Sequence, residues 1–191
     1  MSANKSCSTG GCGCSSTVEQ NQAGAQIEKK RRIEIDFLYL DLEVCSPCRS
    51  TESNIEEALN EVAGILKATG VEVALNKTHV QSVEQAIELG FLTSPTLRIN
   101  GHDLQLDFKE NYCATCSQVS GTQTDCRVWL YQGQEYSAPP KAMIVEAVLR
   151  EMYGGHRAEG AKIVRPENAL ENLRRFFESK GRQDLAGVTE A

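Results

Sequence analysis

The chain of 191 residues is poor in the groups that carry most enzyme chemistry. It has three histidines, one tryptophan and an aromatic content of 6%. His79, His102 and His156 are scattered, and each reads as a surface or internally satisfied side chain. With no Ser/His/Asp or Cys/His pairing signal, hydrolase chemistry has no support. Positive charge is short as well: 20 Lys and Arg against 26 Asp and Glu give a net charge of −6. That balance offers no electrostatic reason to expect nucleic acid or an anionic membrane as partner. The basic run KKRR at 29–32 reads as a solvated edge. No apolar run approaches the length of a membrane span, and no internal repeat is visible. The opening MSANKSCSTGGCGCSST has no hydrophobic segment, so it does not read as a secretory signal, and the expected compartment is the reducing cytoplasm.

What the chain does have is cysteine, eight in all, with 40% hydrophobic residues, enough for one good core. In a reducing compartment, clustered thiols point to metal or redox chemistry rather than to structural disulfides. The stretch IEIDFLYLDLEVCSPC at 33–48 organises the rest. Ile33, Ile35, Phe37, Leu38, Tyr39, Leu40 and Leu42 predict a strand without internal Gly or Pro. Beyond Cys48, the spacing of Ile55, Ala58, Leu59, Val62, Ile65 and Leu66 predicts a helix that Gly70 closes. Cys45 therefore lies on a strand-to-helix turn and Cys48 in the first helical turn. Free N–H groups and the positive end of the helix dipole lower a thiol pKa there, which makes Cys45 the expected nucleophile, with Arg49 near enough to assist. The plainer readings are two structural cysteines or half of a zinc site. Pro47 counts against zinc, and the position after a long strand favours a redox dithiol.

Residues 1–27 are Ser-, Gly-, Asn-, Gln- and Thr-rich and are expected to be disordered. They carry Cys7, Cys12 and Cys14, whose glycine neighbours suit a backbone that wraps a soft ion. After the first helix, VEVAL at 71–75 predicts a strand and 80–90 a short helix. Pro95 opens an alternating strand holding Leu97 and Ile99, and Asn100–Gly101 is a tight-turn signal. An X-Pro bond here is where a cis peptide belongs. Residues 109–126 read as a polar insert holding Cys113, Cys116 and Cys126. Three thiols are one short of a tetrahedral zinc site, so a fourth ligand would be His102, Asp125, a water or a cysteine from elsewhere. The other option is a second dithiol that exchanges with the Cys45/Cys48 pair. A strand pair, RVWLY and EYS, turns at Gln132–Gly133. Pro139–Pro140 then opens a helix stopped at 154–155, and a last helix after Pro166 carries Leu173, Phe176 and Phe177 on one face, with a loose tail beyond Lys180.

The order strand, Cys45-Ser-Pro-Cys48, helix, strand, helix, Ser94-Pro95-Thr96, strand pair, helix resembles the thioredoxin superfamily over about 33–153. The stretch from Arg127 to Gly154 with its cysteine-bearing insert further resembles an uncharacterised prokaryotic thioredoxin-like family. The resemblance implies an α/β, thioredoxin-like fold: a central mixed sheet of four or five strands flanked by helices, plus an extra C-terminal helix. It divides the chain into a tail at 1–27, the domain at 28–155 with the insert at 109–126, and a helix and tail at 156–191. It also implies that Cys45 attacks, Cys48 resolves, Pro95 is a cis-proline facing both, and Ser94 and Thr96 meet an extended substrate. The buried acid of the family falls on Tyr39, with Asp41 or Glu43 as substitutes on the same face. Three functions follow. The first is a thiol–disulfide oxidoreductase that needs no cofactor and acts on a protein or small-molecule disulfide or thiol. The second is a binder of mercury, arsenic, copper or zinc using Cys7, Cys12, Cys14, Cys113, Cys116 and Cys126. The third is a non-catalytic interaction module.

Overall fold

The computed structural model describes residues 31–154 and 169–188. Strand β1, Arg32–Tyr39, runs parallel to β2, Glu72–His79, with helix α1, Ser46–Ala68, between them. Strand β3, Thr96–Ile99, pairs antiparallel with β1 and turns through Asn100–Gly101 into the short β4, His102–Asp103. Both turn residues have positive φ, 50° and 77°, the geometry that Asn-Gly accepts at little cost. The result is a four-stranded mixed sheet in the order β2-β1-β3-β4. Helix α2, Val83–Glu88, joins β2 to β3 and is capped by Ser82, whose hydroxyl accepts from Gln85 N.

The expected strand pair does not extend that sheet. It forms β6, Asp125–Tyr131, and β7, Gln134–Tyr136, in a separate antiparallel sheet whose third strand is β5, Lys109–Tyr112. The insert is thus a strand and a helix, α3 at Ala114–Ser120, rather than a loop. Helix α4, Lys141–Tyr153, follows Pro140, and α5 spans Ala169–Val188, so it continues past Lys180, where a loose tail was expected. Among the described residues no helix is long and apolar enough to cross a membrane.

Strand alternation sorts the core into two clusters. Ile33, Ile35 and Phe37 point to one face and pack with Ile55, Ala58 and Val62 of α1 and Ile144 and Val148 of α4. Leu38 and Leu40 point to the other face, where they meet Ala86 of α2, the cysteines of the domain and Leu173 and Phe176 of α5. Burying Leu173 and Phe176 contributes about 1.5–3 kcal/mol each, which is what docks α5 on the domain. Asn172 fixes its rotation: its Oδ1 accepts from Asp125 N, and its Nδ2 donates to Asp125 O and to Glu110. Helix α5 therefore covers the cysteine side of the sheet.

A buried four-cysteine centre

Two helices begin at this second core, and each begins with Cys-x-x-Cys. Cys45 is the N-cap of α1, with φ −71° and ψ 106°; Cys113 is the N-cap of α3, with φ −115° and ψ 106°. Neither N-cap side chain makes the usual capping hydrogen bond, so both sulfurs are available to other partners. The turn into Cys45 is shaped by Asp41, whose Oδ1 accepts from Glu43 N and Val44 N at 2.8 Å each. Asp41 is thus a turn-former. Tyr39 occupies the expected acid position and stacks between Phe37 and His79, at centroid separations of 5.2 and 5.4 Å. Pairing of Asn111 with Cys126 across β5 and β6 sets the third element of the insert beside the α3 turn.

These constraints bring the sulfurs of Cys45, Cys113, Cys116 and Cys126 within 4.8 Å of one another, all from buried residues. Cys116 Sγ lies 3.2 Å from Cys45 Sγ, and Cys126 Sγ lies 3.2 Å from Cys116 Sγ. The fourth sulfur that the insert lacked is therefore Cys45, and Pro47 does not keep it out of the group. A tetrahedral ion with metal–sulfur bonds near 2.3 Å needs sulfurs roughly 3.8 Å apart, inside the observed spread. All five cysteines of the described domain are free thiols. Four thiols so close can support metal binding or redox chemistry.

Cys48 stands outside the foursome. Its sulfur is 3.5 Å from Ser94 Oγ, and that oxygen accepts from Leu40 N at 3.3 Å. The Ser94–Pro95 bond is cis, and the Ser94 carbonyl accepts from Arg127 N at 2.8 Å, which ties β6 to the Cys48 side of the site. Thr96 opens β3; its hydroxyl donates to the Thr93 carbonyl and receives Arg127 Nη1. Ser94 and Thr96 are both buried, 1% and 2% exposed, so neither presents a side chain to solvent. His102 and Asp125, the other ligand candidates, are outside the sulfur group, while Cys7, Cys12 and Cys14 lie outside the described residues.

The expected acidity of Cys45 is corrected by the neighbours it acquires. Its hydrogen bonds with Cys113 and then Cys116 hold its proton and push its pKa up to about 12. Cys113 is held well below the ordinary thiol range because Cys116, Cys126 and Cys45 all donate toward it. Cys126 is pushed up by its hydrogen bond to Cys113, and Cys48 by its hydrogen bond with Cys45 and by burial. Brief alkylation of the reduced, metal-free protein near neutral pH is expected to label Cys113 at least roughly tenfold faster than Cys45. Peptide mapping that finds Cys45 labelled first would restore it as the leading nucleophile.

Residues 33–148 match the family described as "Domain of unknown function (DUF2703)", and the chain belongs to that family. No curated protein matches the chain, and no solved structure does.

Proposed function

We propose that the chain binds one zinc-class ion through Cys45, Cys113, Cys116 and Cys126, on a frame derived from the thioredoxin superfamily. The observation that carries this reading is the mutual approach of four buried sulfurs within 4.8 Å. Thiolate sets of this kind select soft and borderline ions. Four sulfurs suit a tetrahedral zinc or cadmium ion better than copper(I), mercury(II) or arsenic(III), which are satisfied by fewer thiolates. The amino ends of α1 and α3 both converge on the cluster, and their dipoles favour the negative charge of a tetrathiolate. Cys7, Cys12 and Cys14 are a candidate second set of soft-ion ligands. A reducing compartment is the setting in which all these thiols stay available. In this reading the domain extends over 28–155 with its metal-bearing insert at 109–126, and 156–191 supplies the helix that covers the site.

Protein purified reduced and without chelator, then reconstituted, is expected to hold about one zinc per chain by elemental analysis. Four thiols should resist titration until a strong chelator is added. Occupancy below roughly a tenth of an ion per chain after reconstitution would sink the metal reading.

A specific contact favours thiol–disulfide exchange as the second reading. Cys45 lies 3.2 Å from Cys116 and shares a Cys-x-x-Cys with Cys48, so it has two candidate resolving partners. In that reading Cys45 and Cys48 form the catalytic dithiol, and Ser94, Pro95 and Thr96 frame the substrate side. The full burial of Cys45 favours metal over catalysis.

A further inference from the structure

The cluster is closed on most sides and open on one. A cleft of about 450 Å³ lies against it, between the start of α1 and the β5–β6–β7 sheet. Cys113 and Cys126 line this cleft, whereas Cys45 and Cys116 do not and are fully buried. A bare ion needs no such space, and the volume falls in the range of about 300–1,000 Å³ usual for small-molecule sites. The rest of the wall is mixed and close to neutral, with Pro47, Tyr112, Ala114 and Val128 giving it apolar surface. Asn111, Ser46, Tyr136 and Ser137 supply amide and hydroxyl groups. The charged residues on the wall are already paired, Glu135 with Lys109 and Arg127 with Asp103. Such a wall suits a small zwitterionic molecule better than a macroion.

Resting on the metal reading above, we propose that this cleft receives a low-molecular-weight thiol, the carrier that brings the ion to the four cysteines and removes it. The ion arrives bonded to two carrier sulfurs. Cys113 bonds to the ion through its thiolate, one carrier sulfur–metal bond breaks, and the released carrier takes up a proton from solvent as its thiol. The same exchange at Cys126 frees the second carrier. Cys116 and Cys45 then add their sulfurs from the buried side and release their protons to solvent. No electron is transferred, so neither oxidant nor reductant is required. The order follows from position: Cys113 and Cys126 belong to the cleft wall and meet the carrier before Cys45 and Cys116, which do not.

The test compares two sources of cadmium, whose thiolate absorption reports loading. Ser137 is exposed on the cleft wall and is not a metal ligand, so Ser137→Trp and Ser137→Phe fill the cleft without touching the cluster. Loading from the bis-glutathione cadmium complex should slow at least roughly tenfold in both variants. Loading from cadmium acetate should change by less than about twofold, with the same final occupancy. Independently of any metal, S-methylglutathione should shift the NMR signals of cleft residues in the wild-type protein and leave them unmoved in Ser137→Trp. Equal slowing from both sources, no slowing from either, or a silent S-methylglutathione titration overturns the proposal. If the wild-type protein takes up cadmium from neither source, the metal reading itself fails, and the S-methylglutathione titration still decides whether the cleft binds a small thiol.

Discussion

Cys116→Ser is expected to lower zinc affinity by two to three orders of magnitude, whereas Cys48→Ser should leave it within about threefold of wild type. Structural zinc sites bind with roughly 10–16 kcal/mol, so one of four thiolates is responsible for about 3–4 kcal/mol, or the stated factor. Cys116 is the sulfur closest to two others, 3.2 Å from Cys45 and 3.2 Å from Cys126, so its loss opens the middle of the group. Cys48 belongs to a Cys-x-x-Cys just as Cys116 does, but it faces Ser94 and lies outside the foursome. The pair of variants therefore separates membership of a motif from membership of the site. Competition against a chromophoric chelator measures both constants. Equal losses in the two variants would mean that Cys48 holds the ion as much as Cys116 does, and the four-sulfur assignment would fall.

Asp103→Ala should destabilise the metal-free, reduced domain by about 3–5 kcal/mol, the usual cost of leaving a buried charge without its partner. Arg127 is that charge: its side chain is 0% exposed, and it donates to Asp103 through Nη1 at 3.0 Å and Nη2 at 2.5 Å. Nη2 also donates to the Gln105 carbonyl, and the guanidinium lies 4.2 Å from the Trp129 ring centroid and 5.0 Å from that of Phe108. This arrangement clamps β6, and with it Cys126, to the edge formed by β3 and β4. Urea unfolding followed by Trp129 fluorescence gives the change. The double variant Arg127→Met with Asp103→Leu should recover most of the loss, since replacing both members of a buried pair is far milder than removing one. A loss below about 1 kcal/mol in the single variant would show that Arg127 finds water or another acceptor.

The first half of the fold was legible because its signals are local. The apolar run of β1, the 3.6-residue spacing after Cys48 and the Asn100–Gly101 turn each specify one element without help from distant residues. Cys45 at the N-cap of α1 and a cis bond at Ser94–Pro95 follow from that reading. The insert was not legible. Strand β5 reads KENY, with no apolar alternation; it exists because its backbone pairs with β6, and Tyr112 is left 62% exposed. Helix α3 has seven residues and too short an apolar face to announce itself. The acidity of Cys45 was misread because an isolated helix terminus lowers a thiol pKa, and nothing local reveals three further sulfurs beside it. A signal was nevertheless present. The insert holds its own Cys-x-x-Cys followed by one more cysteine, three ligands in want of a fourth, and Cys45 was the cysteine in place to supply it. The burial of Arg127 had no such signal, since its acceptor lies on a strand of two residues.

The span between the first sulfur and the rest has a consequence during synthesis. Cys45 and Cys116 are 71 positions apart in the chain. At about 5–20 residues per second, a ribosome leaves Cys45 waiting on the order of ten seconds for Cys116, and slightly longer for Cys126. Through that interval the nascent chain carries five sulfurs, Cys7, Cys12, Cys14, Cys45 and Cys48, of which only Cys45 belongs to the four-sulfur group. An ion caught early is therefore caught on sulfurs most of which lie outside the four-sulfur group. The four sulfurs come together only after β6 has emerged and paired with β5, so whatever chemistry they share begins late in the chain's synthesis.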